Sequence, residues 1–375
     1  MKINLKPLAK IWILFFATTF TVVSCTKDGD PILPPSIEMS HADSELTVAF
    51  EEELILTATS TANTEYEEEW KVNGEQVSTE SSYTFQSNQS GTYTVEYRAY
   101  NEAGEFTKEY TVIVDVKKRP ITDHSNIYVT TLFEYKPAPG QFINKAPGNH
   151  ESAEGILGGK GLVSLGAWGG YIVLGFDHTV VNNDGEDIMI YGNAMANFAE
   201  PGVVYVMQDE NGNGEPDDIW YELAGSEFGK EGVIRNYSVT YTRPETATAD
   251  IPWKDNKGNE GVVKTNTFHK QPYYPEWITE NEYTLKGVLL PSGNIDMSNP
   301  SYITSNPFEF GYADNTQGGD KIDISNAVDA EGNKIKLTGI DFIKIQTGIQ
   351  ANMGWLGELS TEIVGIADLS LLSEN

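Results

Sequence analysis

The chain has 375 residues, with 25 Lys and Arg against 55 Asp and Glu, a net charge of −30 and a single cysteine. That length suits two domains, so negative a surface repels nucleic acid and anionic lipid, and one cysteine excludes a disulfide framework or a multi-cysteine metal site. The 19 Tyr, 35 Gly and 17 Pro fit a turn-rich β protein.

In chain order, residues 1–24 read as a secretion signal. Lys2, Lys6 and Lys10 form its positive start, and the apolar run Ile11 to Thr21 is too short to span a bilayer as a mature helix. Val22-Val23-Ser24 directly before Cys25 resembles the bacterial lipobox, which implies that Cys25 becomes a lipidated N-terminus; an ordinary signal peptide is the plainer alternative. Residues 25–35 then form a tether, stiffened by Pro31 to Pro35. Its Lys27 followed by acids resembles the signal that sends some lipoproteins to the outer face of the outer membrane.

From 36 to 116 the hydrophobic period is two, as in strands with one buried face: Leu54, Leu56 and Ala58, then Tyr93, Val95, Tyr97 and Ala99. Asn73-Gly74 marks a hairpin, and Asn101 to Gly104 another. Trp70 and the run Ser90-Gly91-Thr92-Tyr93-Thr94-Val95 resemble the buried tryptophan and tyrosine corner of an immunoglobulin-like or PKD-like module. That resemblance implies a spacer. Residues 117–125, opening with Lys117-Lys118-Arg119, read as a solvated hinge.

Residues 126–375 form the second domain. Strands are expected at Asn126–Tyr135, Tyr171–Phe176, Asp187–Tyr191, Val203–Gln208, Tyr237–Thr242, Ile340–Gln346 and Thr361–Leu369, separated by Gly- and Asn/Asp-rich turns. The expected fold class is therefore all-β, a small Ig-like or PKD-like sandwich followed by a larger β-sandwich of jelly-roll type.

The sharpest chemical signal is Asp209-Glu210-Asn211-Gly212-Asn213-Gly214-Glu215-Pro216-Asp217-Asp218. Alternate oxygen side chains at Asp209, Asn211 and Asn213, a glycine bend, and Glu215, Asp217 or Asp218 to close the shell reproduce the first part of a calcium loop. Position twelve is Trp220 rather than the Glu of an EF-hand, and no flanking helices are expected. Structural Ca²⁺ is the expectation; a plain polar hairpin uses the same residues. A second, weaker oxygen site combines Asp187, Asn193 and Glu200.

Residues 243–290 interrupt the strand rhythm with Trp253, Phe268, His269, Tyr273, Tyr274 and Trp277. Planar rings among polar neighbours suit stacking on a sugar or a corrin; equally, they suit a satellite core. No nucleophile elbow, zinc helix or phosphate loop occurs and the five histidines are scattered, so no catalytic residue is assigned. Glycoside hydrolysis by a carboxylate pair stays as the enzymatic alternative.

Taken together, Tyr135 to Asn144, Gly169 to Asp177, Asp187 to Asn193, Glu200 to Val204, Trp220-Tyr221, Gly318 to Ile324 and Gly357 to Glu362 resemble a family of bacterial cell-surface lipoproteins. In that family a PKD-like module precedes a jelly-roll-like domain. The resemblance implies a lipid-anchored outer-membrane protein facing the exterior and capturing cobalamin for a TonB-dependent transporter. A carbohydrate-binding protein is the alternative, with an adhesive or structural role behind it.

Overall fold

The structure, a computed structural model, describes residues 32–372. The expected signal segment and Cys25 lie outside the described residues.

The first module is built from alternation. Leu56, Val95 and Ala99 are fully buried, and they turn inward between a three-stranded and a five-stranded sheet. Trp70 lies fully buried between them, its indole N–H donating to the Glu80 carbonyl at 2.9 Å. The Tyr93 hydroxyl donates back to the Gln89 carbonyl at 3.0 Å, the tyrosine corner expected from the sequence. Asn73 and Gly74, with φ of 50° and 83°, make the two-residue turn between strands Glu67–Val72 and Glu75–Ser78.

In the second domain a seven-stranded antiparallel sheet packs on a four-stranded one. Strand Gly339–Thr347 is central and pairs with Gly202–Met207 on one side and Tyr171–Val181 on the other. Its Ile343 and Ile345 join Ile172, Leu174, Val204 and Val206 against Ile188, Ile190, Ile363 and Ile366 of the smaller sheet. Pleating sends the alternate residues the other way. Across that outer face Glu222 stands opposite Tyr205, Tyr205 opposite Lys344, and Lys344 opposite Val173.

The expected strand positions hold apart from the first, which begins at Thr131 rather than Asn126, but residues 243–290 are not an irregular loop. Strands Ile234–Thr242, Ile251–Asp255, Glu260–Val263 and Glu282–Leu289 form a third antiparallel sheet with a core of its own, including Trp168, Tyr241 and Leu285. Prolines mark its turns and the ends of its strands. One of them, Pro252, sits within the short second strand, in ladder register with Val262.

The basic segment after the first module is largely exposed, as a solvated hinge would be, but Arg119 ties it to the second domain. Arg119 Nη2 lies 3.1 Å from Asp341 Oδ1, and the Arg119 amide donates to Thr179 Oγ1 at 2.8 Å. Thr338 Oγ1 donates to Asp115 at 2.6 Å, closing the junction from the sandwich side.

Candidate functional site

Where the third sheet pulls away from the outer face of the seven-stranded sheet, a cleft of about 540 Å³ opens. Its floor is the row Glu222, Tyr205 and Lys344; its far wall is Arg235 to Ser238 with Lys286 to Val288; Trp220 and Asp329 stand at the rim. A bulge between Ile234 and Tyr237 shapes that wall, and Asn236 within it holds a φ of 55°. Left-handed backbone at a residue other than glycine costs about 1 kcal/mol, and bulges re-aim side chains at sheet margins. Asn256 secures the bulge by donating to the Asn236 carbonyl at 2.8 Å.

The polar groups of the cleft are unequally matched. Arg235 Nη2 pairs with Glu222 Oε2 at 3.0 Å and donates to the Asp329 carbonyl at 2.9 Å. Burial nevertheless raises the Glu222 pKa against the pull of Arg235. The Asp329 carboxylate accepts from the Glu331 amide and from both the amide and side chain of Asn333, which hold its pKa down. The Tyr205 hydroxyl is buried with no hydrogen-bond partner of normal geometry among the described residues; burial and then the Glu222 charge push its pKa up, with the nearby Val288 amide opposing. Lys344 has no ion pair among the described residues and lies 4.2 Å from the Tyr171 ring centre and 5.4 Å from that of Tyr205. Burial lowers its pKa, with the Glu134 charge opposing.

The loop Asp209–Asp218 folds onto itself. Asp209 Oδ1 and Oδ2 accept from the Asn213 and Gly214 amides at 3.0 and 2.9 Å, and Asn213 Oδ1 accepts from the Glu215 amide at 2.7 Å. Asn211 and Asn213 point their side-chain N–H groups at Asp217, at 3.1 and 3.2 Å. Asp218 accepts from the Glu210 amide at 2.8 Å and from the Asn211 side chain at 3.4 Å, so five of the six sequence-predicted ligands interlock, while Glu215 contributes only its amide. The donor set suits a hard cation, provided that the two Asn amides turn their oxygens inward in place of those N–H groups. The loop also rests on the domain junction: Asp209 N donates to Asp341 Oδ2 at 2.9 Å, and Ser90 of the first module donates to the Glu210 carbonyl at 3.2 Å.

The second predicted oxygen site needs correcting. Asp187 and Asn193 flank strand Ile188–Gly192 at opposite ends, and six residues of extended chain span about 20 Å. Asp187 instead accepts from the Asn183 and Ile324 amides. Glu200 does enter a cluster, with Asp314 and Glu362, which sequence reading missed: one carboxylate oxygen from each lies within 4.8 Å of the others. Burial first, then mutual repulsion, raises the pKa of Glu200 and Asp314, and burial raises that of Glu362. Hydrogen bonds from groups including Ser360, Ser164 and Asn193 oppose the rise at Glu362. Nearby Glu358, also buried, is pushed up to about 8. No local motif announces this group, because its members are far apart in the chain.

The predicted aromatic ligand site mostly dissolves into packing. Tyr273 and Tyr274 are 0 % and 3 % exposed and belong to the third sheet's core. Their hydroxyls are spent on the Asn266 amide and the Glu280 carbonyl. Trp277 packs against His150 and Tyr135, and Trp253 lies against the third-sheet core. His269 meets Phe142 edge-on, which leaves Phe268, 76 % exposed, free of the core. The rings of the cleft come from elsewhere: Trp220 directly after the acidic loop, Tyr205, and Tyr237. Only Trp220 carried a sequence signal, through its position behind that loop.

An all-β protein of two sandwich domains, with a cleft on the outer face of the larger, is the class that this architecture defines. Residues 34–101 match the PKD-like domain family, which identifies the first module. None of the curated proteins matches the chain. Among solved structures it is similar to a quinonprotein alcohol dehydrogenase-like protein of Bacteroides thetaiotaomicron, at 12 % identity and a TM-score of 0.21, covering 62 % of this chain and 50 % of that one. It is also similar to SGBP-B of a Bacteroides ovatus mixed-linkage glucan utilization locus, solved with a heptasaccharide, at 14 % identity and a TM-score of 0.19, covering 63 % and 46 %. A third is a carbohydrate-binding module of the β-sandwich superfamily, at 11 % identity and a TM-score of 0.19, covering 84 % and 96 %. The chain thus spans about half the length of the first two, and likeness at these TM-scores carries no functional conclusion.

Proposed function

We propose that the protein is a non-enzymatic, surface-held binding protein whose cleft on the seven-stranded sheet takes a carbohydrate. The observation that carries this reading is the cleft itself. About 540 Å³ holds a small oligosaccharide portion, and Trp220 and Tyr205 offer apolar planes among Arg235, Asn236, Asn256 and Lys286. Sugar rings present that combination, an apolar face edged by hydroxyls. A corrinoid, the ligand implied by the family resemblance, would stand largely outside a cleft of this size.

The two cleft acids do not favour hydrolysis: Glu222 is paired with Arg235, and the Asp329 carboxylate is engaged by its own turn. In this proposal Cys25 carries the lipid that holds the chain to the outer membrane, beside a TonB-dependent transporter. Ca²⁺ in the loop Asp209–Asp218 stiffens the domain junction.

Affinity electrophoresis through gels containing neutral or acidic polysaccharides tests the reading, with cyanocobalamin titration as the competing arm. Retardation by a polysaccharide is expected. Trp220→Ala should weaken it about tenfold or more, as removal of a central aromatic anchor commonly does. A shifted cobalamin spectrum without retardation in any gel would replace the sugar by a corrinoid.

A further inference from the structure

Acids outnumber bases 55 to 25 in this chain, yet the cleft is lined by three bases, Arg235, Lys286 and Lys344, and two acids, Glu222 and Asp329. Internal pairing sharpens the imbalance. Glu222 is bound to Arg235 at 3.0 Å, and Asp329 caps its own turn through Asn333. Neither Lys286 nor Lys344 has an ion pair among the described residues. Two lysines thus line the cleft with no ion pair of their own, and the one opposing charge that acts on Lys344, that of Glu134, is not among the residues lining the cleft.

Lys344 is the more telling of the two. It projects from the central strand between the rings of Tyr171 and Tyr205, 4.2 and 5.4 Å from their centres. Ring faces compensate a cation only in part, and burial already loosens its proton. A protein selected only for a neutral ligand gains nothing from holding an unpaired ammonium in a half-buried floor, where a methionine or leucine packs better. An anion arriving in the cleft gains from it directly, because a charge-assisted hydrogen bond in a partly desolvated site is strong. The surrounding negative surface then works as a filter. At physiological salt its field fades within roughly 10 Å, so only an anion seated against the two lysines is favoured.

We propose that the cleft recognises an acidic sugar, with Lys344 and Lys286 binding an anionic group, carboxylate or sulfate, on the glycan. This deepens the carbohydrate reading above and rests on it.

The test compares polymers that differ at one anionic group: polygalacturonate against its fully methyl-esterified form for the carboxylate, and chondroitin sulfate against desulfated chondroitin, which keeps its carboxylates, for the sulfate. The full chain should bind the more anionic member of one pair about tenfold more tightly, and which pair responds names the group. Lys344→Met should bring binding of the more anionic member down to that of its less anionic counterpart, and Lys344→Arg should keep the preference. Lys286→Met, at an exposed position that folding does not need, should reduce the preference about threefold. Equal affinity within both pairs, or a preference untouched by Lys344→Met and Lys286→Met, overturns the inference. Trp220→Ala separates the two levels. Lost binding with an unchanged charge preference in the lysine variants sinks the acidic-sugar inference alone, whereas binding that survives Trp220→Ala, or no binding to any polymer, sinks the cleft reading with it.

Discussion

The molecule carries two clusters of carboxylates that solve the same repulsion differently. In the loop Asp209–Asp218 the acids run from buried Asp209 to exposed Asp217 and are quenched by backbone and Asn N–H groups, all within ten residues of chain. In the group Glu200, Asp314 and Glu362 the acids come from three distant segments, lie mostly inside, and face each other. Local chain supplies donors to the first. The second has fewer, and there burial and repulsion raise the pKa values of Glu200 and Asp314, and burial that of Glu362. Carboxylates gathered by sequence tend to be solvated by their own backbone; those gathered by folding depend on protons or a cation.

The largest expected effect contrasts a glycine from each cluster. A Cβ on Gly192 would lie 2.3 Å from Asp314 Oδ1 and 2.7 Å from its Cα, so Gly192→Ala should destabilise by roughly 3 kcal/mol or more. A Cβ on Gly214 meets nothing within 4 Å, and only its φ of 80° resists, so Gly214→Ala should cost about 1 kcal/mol. Equal costs in chemical denaturation would erase the contrast.

Next comes the cation. Calcium added to EDTA-treated protein should raise the melting temperature by several degrees, corresponding to about 2.7 kcal/mol at a hundredfold excess over Kd. Asp217→Asn should remove that rise and Glu362→Gln should leave it. The reverse result would move the ion to the buried group.

The pH response follows in size. Glu200 and Glu362 hold their protons more tightly folded than at the ordinary value of 4.5, and Glu358 is raised to about 8. Their stabilisation is complete below the unfolded value and fades as pH rises through the folded ones. In metal-free protein the melting temperature should fall between about pH 5 and 8, and Glu362→Gln should flatten the fall while matching the parent at pH 5. A rising melting temperature over that range would contradict the assigned directions. The smallest effect belongs to the junction, where Ser90→Ala loses one hydrogen bond to the Glu210 carbonyl and should shift melting by about a degree.

Much of the fold was legible because period-two alternation survives wherever one face of a strand meets water, as at Leu56 to Ala58 or Tyr93 to Ala99. Strand Gly339–Thr347 could be placed as well, although both its faces are covered. The third sheet escaped because its strands are short and its turns carry Pro and Asn, which read as irregular chain. The acidic loop was legible as a local polar turn, since its partners are neighbours in sequence, whereas the Asn N–H groups turned toward Asp217 were not. The cleft was not. Tyr205, Glu222, Arg235, Lys286 and Lys344 stand on different strands, and only cross-strand register brings them together. The aromatic stretch misled for a related reason: Tyr273 and Tyr274 look free until the sheet they seal is known.

The clasp of Arg119 on Asp341 has a mechanical consequence. Asp341 belongs to the central strand of the seven-stranded sheet and also receives the amide of Asp209. A pull or tilt transmitted through the PKD-like module therefore reaches the larger domain by two routes, through the chain into the edge strand Thr131–Lys136 and through Arg119 at mid-sheet, on the very strand that carries Lys344. The clasp at Asp341 and the floor of the cleft at Lys344 thereby share one strand.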